Sequence, residues 1–142
     1  MNIAIAADHG GYDMKEALKK HYTDLNLSDL GTYNSESVDY PDVAQKMVHA
    51  IQNKTADLGI LICGTGVGIS IAANRYKGIR AALIYSTDVA RLAKEHNNAN
   101  IIVFGGRTMA VNDVIKYIDT FMQSTYQGGR HQRRLDKLDN ME

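Results

Sequence analysis

Leu58-Gly-Ile-Leu-Ile-Cys63 is a continuous run of apolar and small residues, and it passes directly into Gly64-Thr-Gly-Val-Gly68. Such a run, without polar alternation, fits a strand buried on both faces, as in the interior of a parallel sheet. The glycines after it predict a tight turn into a following helix. Asn2–Ala7, Ala81–Tyr85 and Asn100–Phe104 repeat the short apolar pattern, and a weaker strand is predicted near Leu25–Leu30. Between them lie stretches of helical period. Met14, Leu18, Tyr22 and Leu25 share one face, as do Val43, Met47 and Ile51 behind a Pro41 placed at a helix start. Val89, Leu92, Ala93 and His96 stripe a later helix, and Val111, Val114, Ile115, Ile118, Phe121 and Met122 stripe the last. Five strands alternating with helices predict an α/β sandwich around a parallel sheet. No linker interrupts the pattern, so residues 1–142 read as one domain with a short polar tail after Met122.

The composition supports an ordinary globular chain and excludes several classes. Its 142 residues are 44% hydrophobic and 23% charged with a single Pro, which fits neither a disordered chain nor a fibre. Apolar runs fall short of the ~20 residues that span a bilayer. The start, MNIAIAADHGG, has neither the basic region nor the long apolar core of a signal peptide. One cysteine cannot close an intrachain disulfide, so the cytoplasm is the expected compartment. The net charge of zero hides an asymmetry: the first 71 residues carry five basic and nine acidic side chains, the rest eleven and seven. A neutral total argues against a nucleic-acid partner, which needs a broad basic face. Arg130, Arg133 and Arg134 crowd together behind two glycines, and the Arg fork matches the oxygens of one compact anion. A solvated face is the plainer reading of that cluster.

In parallel sheets, ligands bind beyond the carboxyl ends of the strands. The unusual residues fall there: Asp8-His9-Gly10-Gly11 after the first strand, Cys63–Gly68 after the central one, Gly105-Gly106-Arg107 after the last. The Gly64–Gly68 loop can turn backbone N–H groups toward an anion. It is not a dinucleotide fingerprint, since Ile69 stands where a third glycine would, and no Gly-Lys-Ser/Thr follows. Its plainer reading is a packing turn. Cys63 reads either as a small core hydrophobe or as a thiolate stabilised beside the loop. It has no companion at metal-ligand spacing. His96 fits a core or capping histidine as well as a general acid. Asp8-His9 could cap the next helix or face a sugar, and His21 and His49 read as surface residues.

Taken together, IAADHGG, DLGTY at 29–33, SVDYPD at 37–42 and LGILICGTGVGISIAAN at 58–74 closely resemble the B-type ribose-5-phosphate isomerases. The resemblance extends to relatives that isomerise allose and galactose 6-phosphates. GIRAAL at 78–83, EHNNAN at 95–100, FGGR at 104–107 and GGRHQRR at 128–134 carry it across the whole chain. It implies a Rossmann-like three-layer αβα sandwich with a five-stranded parallel sheet. It implies Cys63 as the general base, His96 as the acid that opens the furanose ring, Asp8 on the sugar hydroxyls and Thr65 beside the enediolate. Gly64, Gly66, Val67 and Gly68 would supply the loop around that intermediate, and Asn97 a hydroxyl contact. His9, Arg107, Arg130 and Arg134 match substrate-binding positions, mainly for phosphate. No cofactor and no metal are implied. The family's dimers, sometimes paired into tetramers, share active sites between subunits, with Arg134 and His9 the first candidates for donation across the interface. Some relatives use a Glu further along the loop as base, where this chain has Ile69, Ser70 and Ile71, leaving Cys63 as the candidate. Isomerisation of ribose 5-phosphate is the expected function. A six-carbon aldose 6-phosphate isomerase, or a non-catalytic sugar-phosphate-binding protein, are the alternatives.

Overall fold

The computed structural model describes residues 1–141. Five parallel strands, β1 (Ile3–Ala7), β2 (Ser28–Asp29), β3 (Leu58–Cys63), β4 (Ala81–Leu83) and β5 (Ile101–Gly105), form one sheet in the order β2-β1-β3-β5-β4. Six helices accompany them: α1 (Tyr12–His21), α2 (Tyr40–Gln52), α3 (Val67–Ala73), α4 (Thr87–Glu95), α5 (Val111–Gln123) and α6 (Arg130–Asp139). Among the described residues no helix is long and apolar enough to cross a membrane.

β3 sits at the centre, paired with β1 from Leu58 to Ile62 and with β5 from Gly59 to Cys63. Its continuous apolar run reflects cover on both sides. Ile60 and Ile62 face a core with Ile5, Leu18, Phe104, Ile118 and Phe121, beneath α1, α4 and α5. Leu61 and Cys63 face the other core with Ala6, Val43, Met47, Ile69 and Val103, beneath α2 and α3. Strand order reverses between β1 and β3: β2 lies outside β1, whereas β3 and everything after it lie on the other side. The crevice beyond the carboxyl ends of β1 and β3 is therefore the switch point where such sheets take their ligands.

The predicted three-layer architecture and the bounds of β3 agree with the structure. Two expectations do not. The weak strand near Leu25–Leu30 shrinks to Ser28–Asp29, preceded by a 3-10 turn at Thr23–Leu25. The supposed polar tail after Met122 contains α6, which buries His131 and Leu135. With Leu138 they lie at i, i+4 and i+7 on one helix face, a stripe too sparse to stand out among seven charged or Gln neighbours.

Both sheet edges are short. On the open side of β4, the Asn74 carboxamide donates to the Ala81 carbonyl at 2.9 Å and accepts from the Ala81 N–H at 2.8 Å. It takes the place of a neighbouring strand. Beside β2, the fully buried Lys15 ammonium contacts Asp29 at 2.6 Å and Glu16 at 3.0 Å, and Lys19 reaches Asp29 at 2.8 Å. Burial pushes the Asp29 carboxyl up, but bonds from Lys15, Lys19 and the Gly31 N–H outweigh it and hold it below the ordinary carboxylate value. An aspartate lowered in the folded state stabilises fully above its unfolded value and loses that contribution as pH falls through the folded one. Asp29→Asn should therefore cost roughly 3 kcal/mol at pH 7, the low end for a broken buried pair because Glu16 still holds Lys15. In urea denaturation the gap to the parent should shrink as pH falls below the carboxylate range. Equal stability of the two proteins at pH 7 would mean the pair is energetically neutral.

Candidate active site

The chemistry-bearing residues collect in two places, at opposite edges of the sheet. At the carboxyl edge, Asp8 continues β1 by donating its N–H to the Ile62 carbonyl at 3.1 Å, and its Oδ1 accepts from the Gly10 N–H at 2.8 Å. It is buried, with a carboxylate folded against its own loop. His9, half-buried, accepts at Nδ1 from the Val38 N–H at 3.2 Å, which leaves Nε2 as the free edge of the ring. Cys63 is the last residue of β3 and only 4% exposed, and its Sγ accepts from the Gly66 N–H at 3.2 Å. That contact is one a thiolate accepts more strongly than a thiol.

The loop that follows is shaped by one left-handed residue. Gly66 has φ +82°, and a Cβ there would meet Leu83 and the Phe104 backbone. Thr65 is exposed and its Oγ1 accepts from the Val67 N–H at 3.2 Å. Val67 is exposed, and the Tyr40 ring lies against Gly68. After β5, the Gly106 N–H donates to the Cys63 carbonyl at 2.8 Å and the Arg107 N–H to the Gly64 carbonyl at 2.9 Å. These bonds extend the central ladder beyond the sheet and lay the Arg107 side chain across Gly64. Asp8, His9, Cys63, Thr65, the Gly64–Gly68 backbone and Arg107 thus share one crevice.

His96, Asn97, Arg130 and Arg134 lie elsewhere. α4 runs back from the carboxyl edge, so its C-cap, His96, stands at the amino edge with Asn97, just before β5 begins at Ile101. Rather than striping the interior of α4, His96 caps its end, because Asn98 turns the chain with φ +43°. The His96 ring stacks on His131, with centroids 4.2 Å apart and planes 15° apart. Burial, then the neighbouring His96, Arg130 and Arg134, push the His131 imidazole below its usual value. Arg130 and Arg134 flank it on exposed positions of α6. Asn97 lines a concavity of about 910 Å³ with Asn74, Arg75, Arg80 and Leu138. That hollow belongs to the amino edge and is remote from Cys63.

Cys63 pairs with Gly105 at one end of β5, while the His96 turn enters β5 at Ile101. Four strand steps of ~3.3 Å separate the two ends by roughly 13 Å. His9, by contrast, lies on the loop after β1, at the same edge as Cys63. His131 was not among the sequence candidates, although it packs directly on one of them, His96. Its sequence signal was the spacing to Leu135 and Leu138, but nothing in the sequence shows the stack on His96.

The ribose/galactose isomerase family matches residues 3–138. The chain belongs to this family. A ribose 5-phosphate isomerase of Thermotoga maritima is 51% identical and superposes with a TM-score of 0.96, covering 99% of this chain and 98% of the other. The ribose-5-phosphate isomerase B of Mycoplasma genitalium, solved with bound ribulose-5-phosphate, is 43% identical with a TM-score of 0.91, covering 97% and 93%. Ribose-5-phosphate isomerase B of Escherichia coli is 39% identical over 142 residues, covering 99% of this chain and 95% of its own. Across this family member's crevice, the three loops after β1, β3 and β5 close on one another without side chains between them. A Cβ on Gly106 would collide with the Gly10 carbonyl and reach Gly11 Cα at 2.9 Å. Gly106→Ala should therefore cost about 2 kcal/mol by forcing backbone apart, lowering Tm by at least ~4 °C in thermal unfolding. An unshifted Tm would show that the loops part freely.

Proposed function

We propose that this chain is an aldose–ketose isomerase that interconverts D-ribose 5-phosphate and D-ribulose 5-phosphate, acting as one sugar-phosphate isomerase domain in the cytoplasm. The observation that carries the reading is the buried Cys63 thiol, held by the Gly66 N–H at the switch point of the sheet. The fold around it closely matches that of a relative solved with ribulose-5-phosphate bound.

The reaction moves a proton between C2 and C1 and needs a base, an acid to open the furanose and donors for the developing oxyanion. Cys63, as thiolate, takes the C2 proton and returns it to C1. Thr65 and the N–H groups of Gly64, Gly66, Val67 and Gly68 surround the enediolate, and Asp8 orders the sugar hydroxyls. His96 gives its proton to the ring oxygen as the C1–O4 bond breaks and the C1 hydroxyl releases its own proton to solvent, with Asn97 on a neighbouring hydroxyl. Arg130 and Arg134, joined by Arg107 and the free Nε2 edge of His9, hold the phosphate. That group does not react, so its binding energy keeps the sugar in register.

Acid and base must each come within ~3 Å of the same small sugar, and one chain places them beyond opposite ends of β5, a strand roughly 13 Å long. We infer that a second copy supplies His96, Asn97, Arg130 and Arg134 to the crevice holding Cys63, in a symmetric dimer with two shared sites. Uncovered apolar surface beside the crevice supports this: Val67 and Ile71, one turn apart on α3, are 49% and 59% exposed, and Tyr40 is 40% exposed.

Cys63→Ala should lower kcat by roughly 10²–10⁴-fold in a coupled assay on ribose 5-phosphate while the protein stays folded, because no carboxylate replaces the base. Near-parental turnover would return Cys63 to a packing role. Mixing tests the shared sites. With random exchange, Cys63→Ala and His96→Ala subunits form mixed dimers about half the time, each with one intact site, so recovery should approach roughly a quarter of parental activity. Cys63→Ala with His9→Ala should recover nothing, since both lesions fall in the same half. Equal recovery in both mixtures, or none in either, would defeat the division.

A further inference from the structure

The amino-edge half of the site is built from two elements that share no strand, the end of α4 and the whole of α6. Apart from the histidine stack, one side chain reaches both. Arg80, just before β4, donates from Nε to the carbonyls of Asn97 at 3.2 Å and Asn98 at 3.3 Å, and from Nη2 to Asn98 at 3.1 Å. Its Nη1 contacts both oxygens of Asp139, in the last turn of α6, at 3.3 and 3.4 Å. Its backbone is pinned as well: the Arg80 N–H donates to Asn100 Oδ1 at 2.8 Å, and the Asn100 amide donates to the Gly78 carbonyl at 2.8 Å. The guanidinium is thus held at its root while it satisfies the Asn97 and Asn98 carbonyls in the turn that follows α4.

We propose that Arg80 is a positioning residue that holds the ring-opening histidine and the phosphate-binding arginines as a single rigid half-site. The inference rests on the proposed isomerase reading and adds to it a residue that never touches the sugar. The Asn97 and Asn98 carbonyls immediately follow His96, so the Arg80 bonds fix where the imidazole leaves the helix. The Asp139 contact fixes the far end of α6, whose first turn carries His131 against His96 and Arg130 beside it. Lysine cannot reproduce this. Its ammonium is a point donor, whereas the planar fork spans two carbonyls and a carboxylate at once.

Arg80→Met keeps most of the side-chain volume and removes the fork. Its homodimer should lose turnover on ribose 5-phosphate by about 10–100-fold, the scale on which misplaced reacting groups cost rate. Arg80→Lys should lose most of the same activity. Mixing separates positioning from general damage. Arg80→Met combined with Cys63→Ala should recover toward roughly a quarter of parental activity, because the mixed dimer assembles one site from two sound halves. Arg80→Met combined with His96→Ala should recover nothing beyond the residual of Arg80→Met itself. Undiminished turnover in Arg80→Met overturns the proposal. So does a loss that both mixtures repair, or that neither repairs. Should Arg80→Met fail to yield folded protein, Arg80→Lys goes through the same pair of mixtures with the same expectations. A parent that does not isomerise ribose 5-phosphate would instead sink the isomerase reading, and failure of Cys63→Ala with His96→Ala to complement would sink the shared site. Each is thereby distinguishable from failure at Arg80.

Discussion

Parallel pairing of β3 with both β1 and β5 is the constraint from which the rest follows. A parallel sheet obliges every connection to carry the chain back to the edge it started from. Loops that leave strands therefore gather at one edge, and helix ends that precede strands gather at the other. Asp8, Cys63 and Arg107 leave strands. His96 and Asn97 precede one. No side-chain motion brings the two sets together, because a rigid core of Ile60, Leu61, Ile62, Val103 and Phe104 lies between them. The candidate residues are thus spread by topology over two opposite surfaces of the chain.

The two edges are organised by different forces. At the carboxyl edge, main-chain bonds dominate: β1, β3 and β5 each run on past the sheet, and glycines bring the loops into backbone contact. That edge is preorganised by the sheet itself. At the amino edge the order comes from side chains, with the His96–His131 stack and the Arg80 fork joining the end of α4 to α6. The thiol needs an unmoving setting defined by backbone. Arg130 and Arg134, by contrast, are long side chains with reach on a surface helix.

How far the sequence could be read varies with how locally each feature is determined. β3 was legible to the residue because a strand covered on both faces leaves an unbroken apolar run. β2 was poorly legible, since two residues pairing at an edge need no pattern. α6 escaped because its helix face buries only His131 and Leu135, and histidine does not register as apolar. The carboxyl-edge residues declared themselves through their position after strands. His96 and the arginines could be named from family resemblance, but their place on the opposite edge follows only from the direction in which α4 and α6 run. Arg80 gave no signal of its own, since one arginine among seven is ordinary until its carbonyl partners are seen.

The Asn74 carboxamide on Ala81 bears on how copies of this chain can meet. An open strand edge is a template on which another chain can add a strand, leading to runaway association. Here the β4 edge already has a carboxamide seated on it, and the β2 edge is two residues long beside Lys15 and Lys19. Neither side offers a free ladder. Self-association is thereby steered away from continuation of the sheet, which has no natural end, and toward contacts between helices and loops, which close on themselves after a fixed number of copies. The capped edges thereby keep association between copies from becoming a route to aggregates.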